Sequence, residues 1–165
     1  DLHVMSRRQR QMCIRDRSKP VLYIGGGVIK ADAHAELKAF AEANNIPVVT
    51  TLMALGSFPD SHPLHMGMPG MHGSVPAVAA LQRSDLLITI SARFDDRVTG
   101  HVESFAPNAK VIHADIDPAE IGKIREVEVP IVGDAREVLA ALHSAMDALE
   151  LPKPCLLYTS PSPRD

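Results

Sequence analysis

Five short segments of this chain are apolar almost from end to end: "KPVLYI" at the head of 19–27, "IPVVTTL" at 46–52, "DLLITIS" at 85–91, "AKVIHADI" at 109–116 and "VEVPIVG" at 127–133. A strand with one face in water alternates apolar and polar residues, whereas these runs ask to be covered on both faces. Helix-period patterns lie between them. In "ADAHAELKAFAEANN" (31–45), Ala35, Leu37, Phe40 and Ala41 share a face, with Asp32 as N-cap and Asn44-Asn45 as the stop. "SVPAVAALQRS" (74–84) opens on Ser74 as N-cap with Pro76 in its first turn. Asp134 caps 135–151, where Val138, Leu139, Leu142, Ala145, Met146 and Leu149 form one stripe. "DPAEIGKI" (117–124) reads as a helical turn, and Met53 to Gly73, without a period, as a loop. Buried strands alternating with helices predict a single doubly wound α/β domain, Rossmann-like. Its parallel strands are expected near 20–25, 47–52, 85–91, 110–115 and 128–132, with helices on both faces.

Composition narrows the function. The net charge is −3, aromatics are 4% and Trp is absent, so neither a basic surface nor a stacking platform points to nucleic acid. No apolar run reaches the ~18 residues of a membrane helix.

Both ends have a composition unrelated to the rest. "RRQRQMCIRDR" (7–17) is basic and without period, and "CLLYTSPSPRD" (155–165) follows a finished helix. One permitted coding of Cys155 to Ser160 has a reverse complement that, in another frame, reads Met-Cys-Ile-Arg-Asp, the residues at 12–16. The ends therefore resemble one DNA element of the sequencing-adaptor kind read in opposite orientations. Residues 1–17 and 155–165 are expected to be non-native flanks with few core contacts, and 18–154 the domain. Cys13 and Cys155, the two cysteines, fall in those flanks, which leaves 18–154 without a disulfide or zinc framework. That stretch carries 11 basic and 17 acidic side chains, a net charge of −6.

In a doubly wound sheet all strand C-termini share one edge, and ligands bind there. The unusual residues of this sequence fall behind those ends: Gly25-Gly26-Gly27, Thr50-Thr51-Leu52, Ser91 to Arg97, and Asp115-Ile116-Asp117. Glycines let backbone N–H groups approach a pyrophosphate, Arg93 or Arg97 can fork a phosphate, and Asp115 can accept from a ribose hydroxyl. Each has a plainer use: "GGGVIK" is not GxGxxG and serves as a turn, Asp115 as a cap, and "RFDDR" as a solvated charged face. Their convergence on one edge favours a dinucleotide. "HMGMPGMHG" (65–73) offers histidines and methionines, but His62, His65 and His72 lack ligand spacing and no cysteine joins them. No metal is expected there; the loop suits the flat apolar face of a ligand, with Met71 as an adaptable contact.

"KPVLYIGGG", "IPVVTTLMALGSFPDSHPLHMGMPGMHG", "SDLLITISARFDDRVTG" and "VIHADIDPAEIGK" together resemble the central domain of the acetolactate synthase (acetohydroxyacid synthase) catalytic subunit, over about 19–146. The resemblance implies a DHS-like NAD/FAD-binding fold that carries FAD. The implied flavin contacts are Gly26, Thr51, Leu52, Gly70, Met71, His72, Ala92, Arg93, Phe94, Asp95, Asp96, Arg97, Asp115, Ile116, Asp134 and Ala135. Asp96 and Arg97 would also border the substrate channel, where synthase-directed herbicides bind. Pro69 departs from the leucine common in the family. The resemblance further implies a cytoplasmic bacterial enzyme that condenses two 2-oxo acids for isoleucine and valine synthesis. Thiamine diphosphate and magnesium would be held by N- and C-terminal domains absent here, in a homodimer or homotetramer with a regulatory small subunit and no nucleic-acid or membrane partner. "GDA" at 133–135 is not the family's metal motif, so no catalytic or metal residue is expected in this piece and no catalysis from it alone. Two other readings remain: a stand-alone nucleotide-binding module, sirtuin-like or electron-transfer-flavoprotein-like, and the central domain of a thiamine enzyme that has lost FAD.

Overall fold

The computed structural model describes residues 17–70, 72–95, 100 and 105–147. Its six strands are β1 (Pro20–Ile24), β2 (Val48–Thr50), β3 (His65–Gly67), β4 (Leu86–Ile90), β5 (Lys110–Asp115) and β6 (Val129–Val132). They form one sheet in the order β3-β2-β1-β4-β5-β6, and every pairing is parallel. The helices are α1 (Gly27–Lys30), α2 (His34–Asn44), α3 (Val75–Arg83) and α4 (Ala135–Asp147). The five strands expected from the apolar runs are present, and the fold is α/β and Rossmann-like.

Period two along each strand divides the core into two layers. Leu22, Ile24, Val48, Leu86, Ile88, Ile90, Ile112 and Ala114 face one side, where α2 and α4 bury Leu37, Phe40, Val138, Leu139, Leu142 and Met146 against them. Val21, Tyr23, Val49, Leu87 and Val111 face the other, under Ala77, Ala80 and Leu81 of α3 and under Phe94 and Phe105. Every residue of β1 and β4 is therefore buried, which is what runs apolar on both faces required.

The structure also departs from the sequence reading. Residues 53–73 are not loop throughout: β3 adds a sixth strand at the sheet edge, and a 3-10 turn spans Leu52–Ala54. Asp32 does not cap α2. Ala33 is the N-cap without a side-chain bond, while Asp32 sits at φ 48 and accepts from Arg136 Nη2 at 3.0 Å. Ala35 is exposed, so the buried face of α2 runs through Leu37, Phe40 and Ala41 alone. Asn45 does stop that helix, in the left-handed conformation at φ 52. The stretch 117–124 is a series of turns rather than a helix, because Asp115 Oδ1 and Asp117 Oδ1 each accept from the N–H two residues on, at 2.9 Å, in place of helical bonding. Ser74 caps α3 by accepting from Ala77 N at 3.3 Å, and Asp134 Oδ1 accepts from Arg136 N at 2.9 Å where α4 begins. Leu149 and most of both flanks lie outside the described residues.

Candidate functional site at the C-terminal strand edge

The strand order reverses between β1 and β4, with all strands still parallel: the strands after β1 build outward on one side, and those from β4 onward build on the other. Such a switch point opens a crevice at the strand C-termini, because the two crossovers leave in opposite directions. The loops lining it are bonded to one another in sequence along the edge. Thr51 N donates to Ile24 O at 2.9 Å, Gly25 N to Ile90 O at 2.9 Å, Ser91 N to Ala114 O at 2.7 Å, and Gly133 N to Asp115 O at 3.1 Å.

The triple glycine is explained chiefly by this crowding. A Cβ on Gly25 would lie 1.8 Å from Ser91 O, and one on Gly27 would lie 2.3 Å from Ser91 Cβ. These two glycines let the β1 and β4 loops touch each other. Gly26 differs: a Cβ there would meet Met53 O at 3.0 Å, on the exposed side of the turn.

The residues singled out from sequence sort into two groups. Gly26, Thr51, Leu52, Ala92, Arg93, Phe94, Asp95, Asp115, Ile116, Asp134 and Ala135 all lie at or just beyond the C-termini of β1, β2, β4, β5 and β6, and so share one edge. Gly70 and His72 follow β3 at the outer end of the same edge, with Gly70 at φ 115. Among these, Ala92, Phe94 and Ala135 turn their side chains into the core, leaving only main chain for a ligand. Leu52, Arg93, Asp95 and Ile116 are exposed. Met71, Asp96 and Arg97 lie outside the described residues.

Arg93 Nε pairs with Glu120 Oε2 at 3.4 Å, and the Arg93 side chain remains 73% exposed. Glu120 comes from the turns after β5. Asp115 has the turn role already noted, through Oδ1, at a half-buried position. Pro69 is buried, so the departure at that position points inward. Two histidines of the 53–73 segment bind their own chain: His65 Nε2 and Thr50 Oγ1 lie 3.1 Å apart, His65 Nδ1 and Asp60 Oδ1 3.4 Å, and His62 Nε2 and Glu42 Oε1 3.0 Å. No group of three or more His, Cys, Asp or Glu among the described residues could hold a metal ion.

Three features escaped the sequence reading. Met53 is 75% exposed beside Gly26. Glu120 faces Arg93. His113, wholly buried in β5, shares a hydrogen bond with Ala92 O at 3.0 Å, and burial pushes its pKa below the usual histidine value. The signal for the last was a polar residue inside the run "VIHAD".

Residues 11–142 match the family described as thiamine pyrophosphate enzyme, central domain, and the chain belongs to that family. Within it, the chain is 74% identical over 140 residues to the acetolactate synthase large subunit of Corynebacterium glutamicum, covering 85% of this chain and 22% of that protein. It is 64% identical over 140 residues to an acetolactate synthase of Mycobacterium avium, again 85% and 22% of the two chains. A probable acetolactate synthase large subunit of Methanocaldococcus jannaschii is 50% identical over 149 residues, 90% of this chain and 25% of that one. The chain thus spans about a quarter or less of the length of these relatives. The match favours the central domain of a thiamine enzyme over a stand-alone nucleotide-binding module. No helix among the described residues is long and apolar enough to cross a membrane.

Proposed function

We propose that this chain is the flavin-carrying central domain of an acetolactate synthase catalytic subunit, with FAD along the C-terminal edge of the sheet. The observation that carries the reading is the company that exposed apolar side chains keep. Ile29, Leu52, Met53, Leu55 and Ile116 are large hydrophobics left in solvent just behind β1, β2 and β5, on the strand edge that also carries Arg93 and Asp115. Water-exposed apolar groups along the C-terminal edge of the sheet, together with charged side chains there, suit a ligand with a flat apolar ring and a phosphate-bearing tail. FAD combines both, and the donor set fits it.

Leu52, Met53 and the loop after β3 would cover the ring. Arg93 would hold phosphate, exchanging part of its pairing with Glu120, and Asp115 would accept from a ribose hydroxyl. Main-chain groups at Gly26, Ala92 and Phe94 would supply the remaining polar contacts. When bound, FAD would supply a planar apolar surface and a diphosphate in this crevice; the chain's own part is to bind, orient and exclude water.

The whole enzyme would condense two 2-oxo acids, pyruvate with pyruvate or 2-oxobutyrate, in a bacterial cytoplasm, toward isoleucine and valine. Thiamine diphosphate and magnesium would be held by segments outside this chain, in a homodimer or homotetramer with a regulatory small subunit. We propose also that 1–17 and 155–165 are adaptor-derived; a genomic read through this locus would replace both if so.

FAD titrated into the 165-residue chain and into the full-length subunit, followed by quenching of flavin fluorescence, tests the reading. Asp115→Ala should weaken binding by roughly 1.5–3 kcal/mol, the value of a charge-assisted hydrogen bond. Arg93→Ala should cost less, because its side chain is largely solvated and already paired. Absence of quenching with both proteins, or equal affinity for Asp115→Ala, would overturn it.

A further inference from the structure

We propose that His113 is a positioning residue: by donating Nε2–H to the carbonyl of Ala92 it fixes the segment Ala92–Asp95, and with it Arg93, on the ligand-facing edge. The ligand consequence rests on the flavin reading above; the positioning itself does not.

The argument begins with the row in which His113 lies. Tyr23, Thr89 and His113 are register partners across β1, β4 and β5, so their side chains stand side by side on one face. All three are buried, and Tyr23 Oη, Thr89 Oγ1 and His113 Nδ1 have no hydrogen-bond partner among the described residues. A core gains nothing from three polar groups left this way, because buried polar groups lower stability unless bonded. Among the described residues, the side-chain hydrogen bond this row makes to another segment is the His113–Ala92 contact at 3.0 Å. A carbonyl cannot donate, so the proton must sit on Nε2 and leave Nδ1 as the bare acceptor.

That bond lands where the chain most needs fixing. Ser91 turns the chain at φ 51 as it leaves β4, a conformation costly for a residue with a Cβ. The next residues alternate between core and solvent: Ala92 is in, Arg93 out, Phe94 in and Asp95 out. Phe94 is buried in the core and packs on three rings, tilted on Tyr23 at 5.9 Å and edge-on to His113 at 5.4 Å and to Phe105 at 6.2 Å. Arg93 is thus suspended between two anchors, a hydrogen bond before it and a buried ring after it. His113 serves both, bonding Ala92 and packing against Phe94. A leucine would fill the volume and keep the packing, but it would release the carbonyl.

Limited trypsinolysis of the 165-residue chain separates positioning from general stability, because Arg93 offers its own cleavage site. Cleavage after Arg93 reports opening of this segment, and cleavage after Lys38, within α2, reports wider unfolding. In His113→Leu the ratio of the two rates should rise by about tenfold, and in His113→Gln, whose amide N–H can still reach a carbonyl, it should return to within about threefold. An unchanged ratio, or both sites accelerating together, would overturn the proposal. Should His113→Leu fail to fold, imidazole ¹⁵N shifts of the unsubstituted chain decide: an Nε2–H tautomer supports it and an Nδ1–H tautomer refutes it. In the flavin titration, affinity should fall in the Leu variant and recover in the Gln variant. If the unsubstituted chain and the full-length subunit bind no FAD, the flavin reading fails, and the cleavage ratio and tautomer still judge the positioning.

Discussion

Gly25→Ala should be among the most damaging single-methyl additions in this domain, and Gly26→Ala one residue away should be nearly silent. The added Cβ of the first would sit 1.8 Å from Ser91 O, 2.5 Å from Ser91 C and 2.6 Å from Ala92 Cα. All three are backbone atoms, so no rotamer relieves the clash. The two loops would have to separate by roughly 1.5 Å or more to restore ordinary contact. They are tied together by Gly25 N donating to Ile90 O at 2.9 Å, and Ser91 is held from its other side by β5, its N donating to Ala114 O at 2.7 Å, in a close-packed interior that yields only slightly. The expected cost is at the top of the overpacking range, about 3 kcal/mol, or roughly 6–12 °C in Tm for a chain of this size. Gly26 has helical φ and ψ of −62° and −15°. Its Cβ would meet only Met53 at 3.0–3.1 Å, on an exposed turn that can move. The small strain there is opposed by about 0.4–1 kcal/mol from a stiffer unfolded chain, leaving a net change near zero. Urea unfolding followed by circular dichroism measures both variants. Equal midpoints for Gly25→Ala and Gly26→Ala would refute the reasoning, since it would mean that the β1 and β4 loops do not meet as described.

Ile88→Ala, in the centre of β4 and 0% exposed, should cost about 2–5 kcal/mol by urea unfolding, because helices on both sides prevent the cavity from collapsing. Stability should also fall on mild acidification. Burial holds the pKa of both His113 and His65 below the ordinary histidine value, against the weaker opposing pull of Asp115 and Asp60. The unfolded chain therefore takes up protons first, so their contribution is whole above about pH 6.5 and is lost as pH falls toward the depressed folded values. Urea midpoints at about pH 7.5 and about pH 5.5 should differ in that direction, and less so in His113→Gln; a higher midpoint at the lower pH would contradict the assignment.

The strands were legible because burial on both faces leaves an uninterrupted apolar run, as in Leu86–Ile90. β3 was not, since a three-residue edge strand of His65, Met66 and Gly67 buries only its middle residue and so has no period to read. Asp32 looked like a cap from its residue type, but an ion pair with Arg136, 104 positions away, holds it elsewhere. The strand-end rule placed the described candidate residues on one edge from sequence alone. What it could not supply was direction: that Ala92 and Phe94 face inward while Arg93 faces out, or that Glu120, 27 residues on, meets Arg93. Those facts arise from the left-handed turn at Ser91 and from the bonding of His113, neither of which follows from local pattern.

The strand order carries a kinetic consequence. β1, β2 and β3 pair with their neighbours in the chain, and so do β4, β5 and β6; only the β1–β4 seam joins the halves, with Pro20 opposite Leu86. Each half is a small winding of neighbouring strands that can begin to form before the other exists, yet each leaves a raw hydrophobic edge strand until the seam closes across 66 positions. Closing that span late makes the seam the slow step of folding. During synthesis, β1 must wait, exposed, until β4 has emerged. Cut in the turn between β3 and α3, the chain would become two pieces whose mutual affinity is the strength of that single seam and the crossovers packed over it.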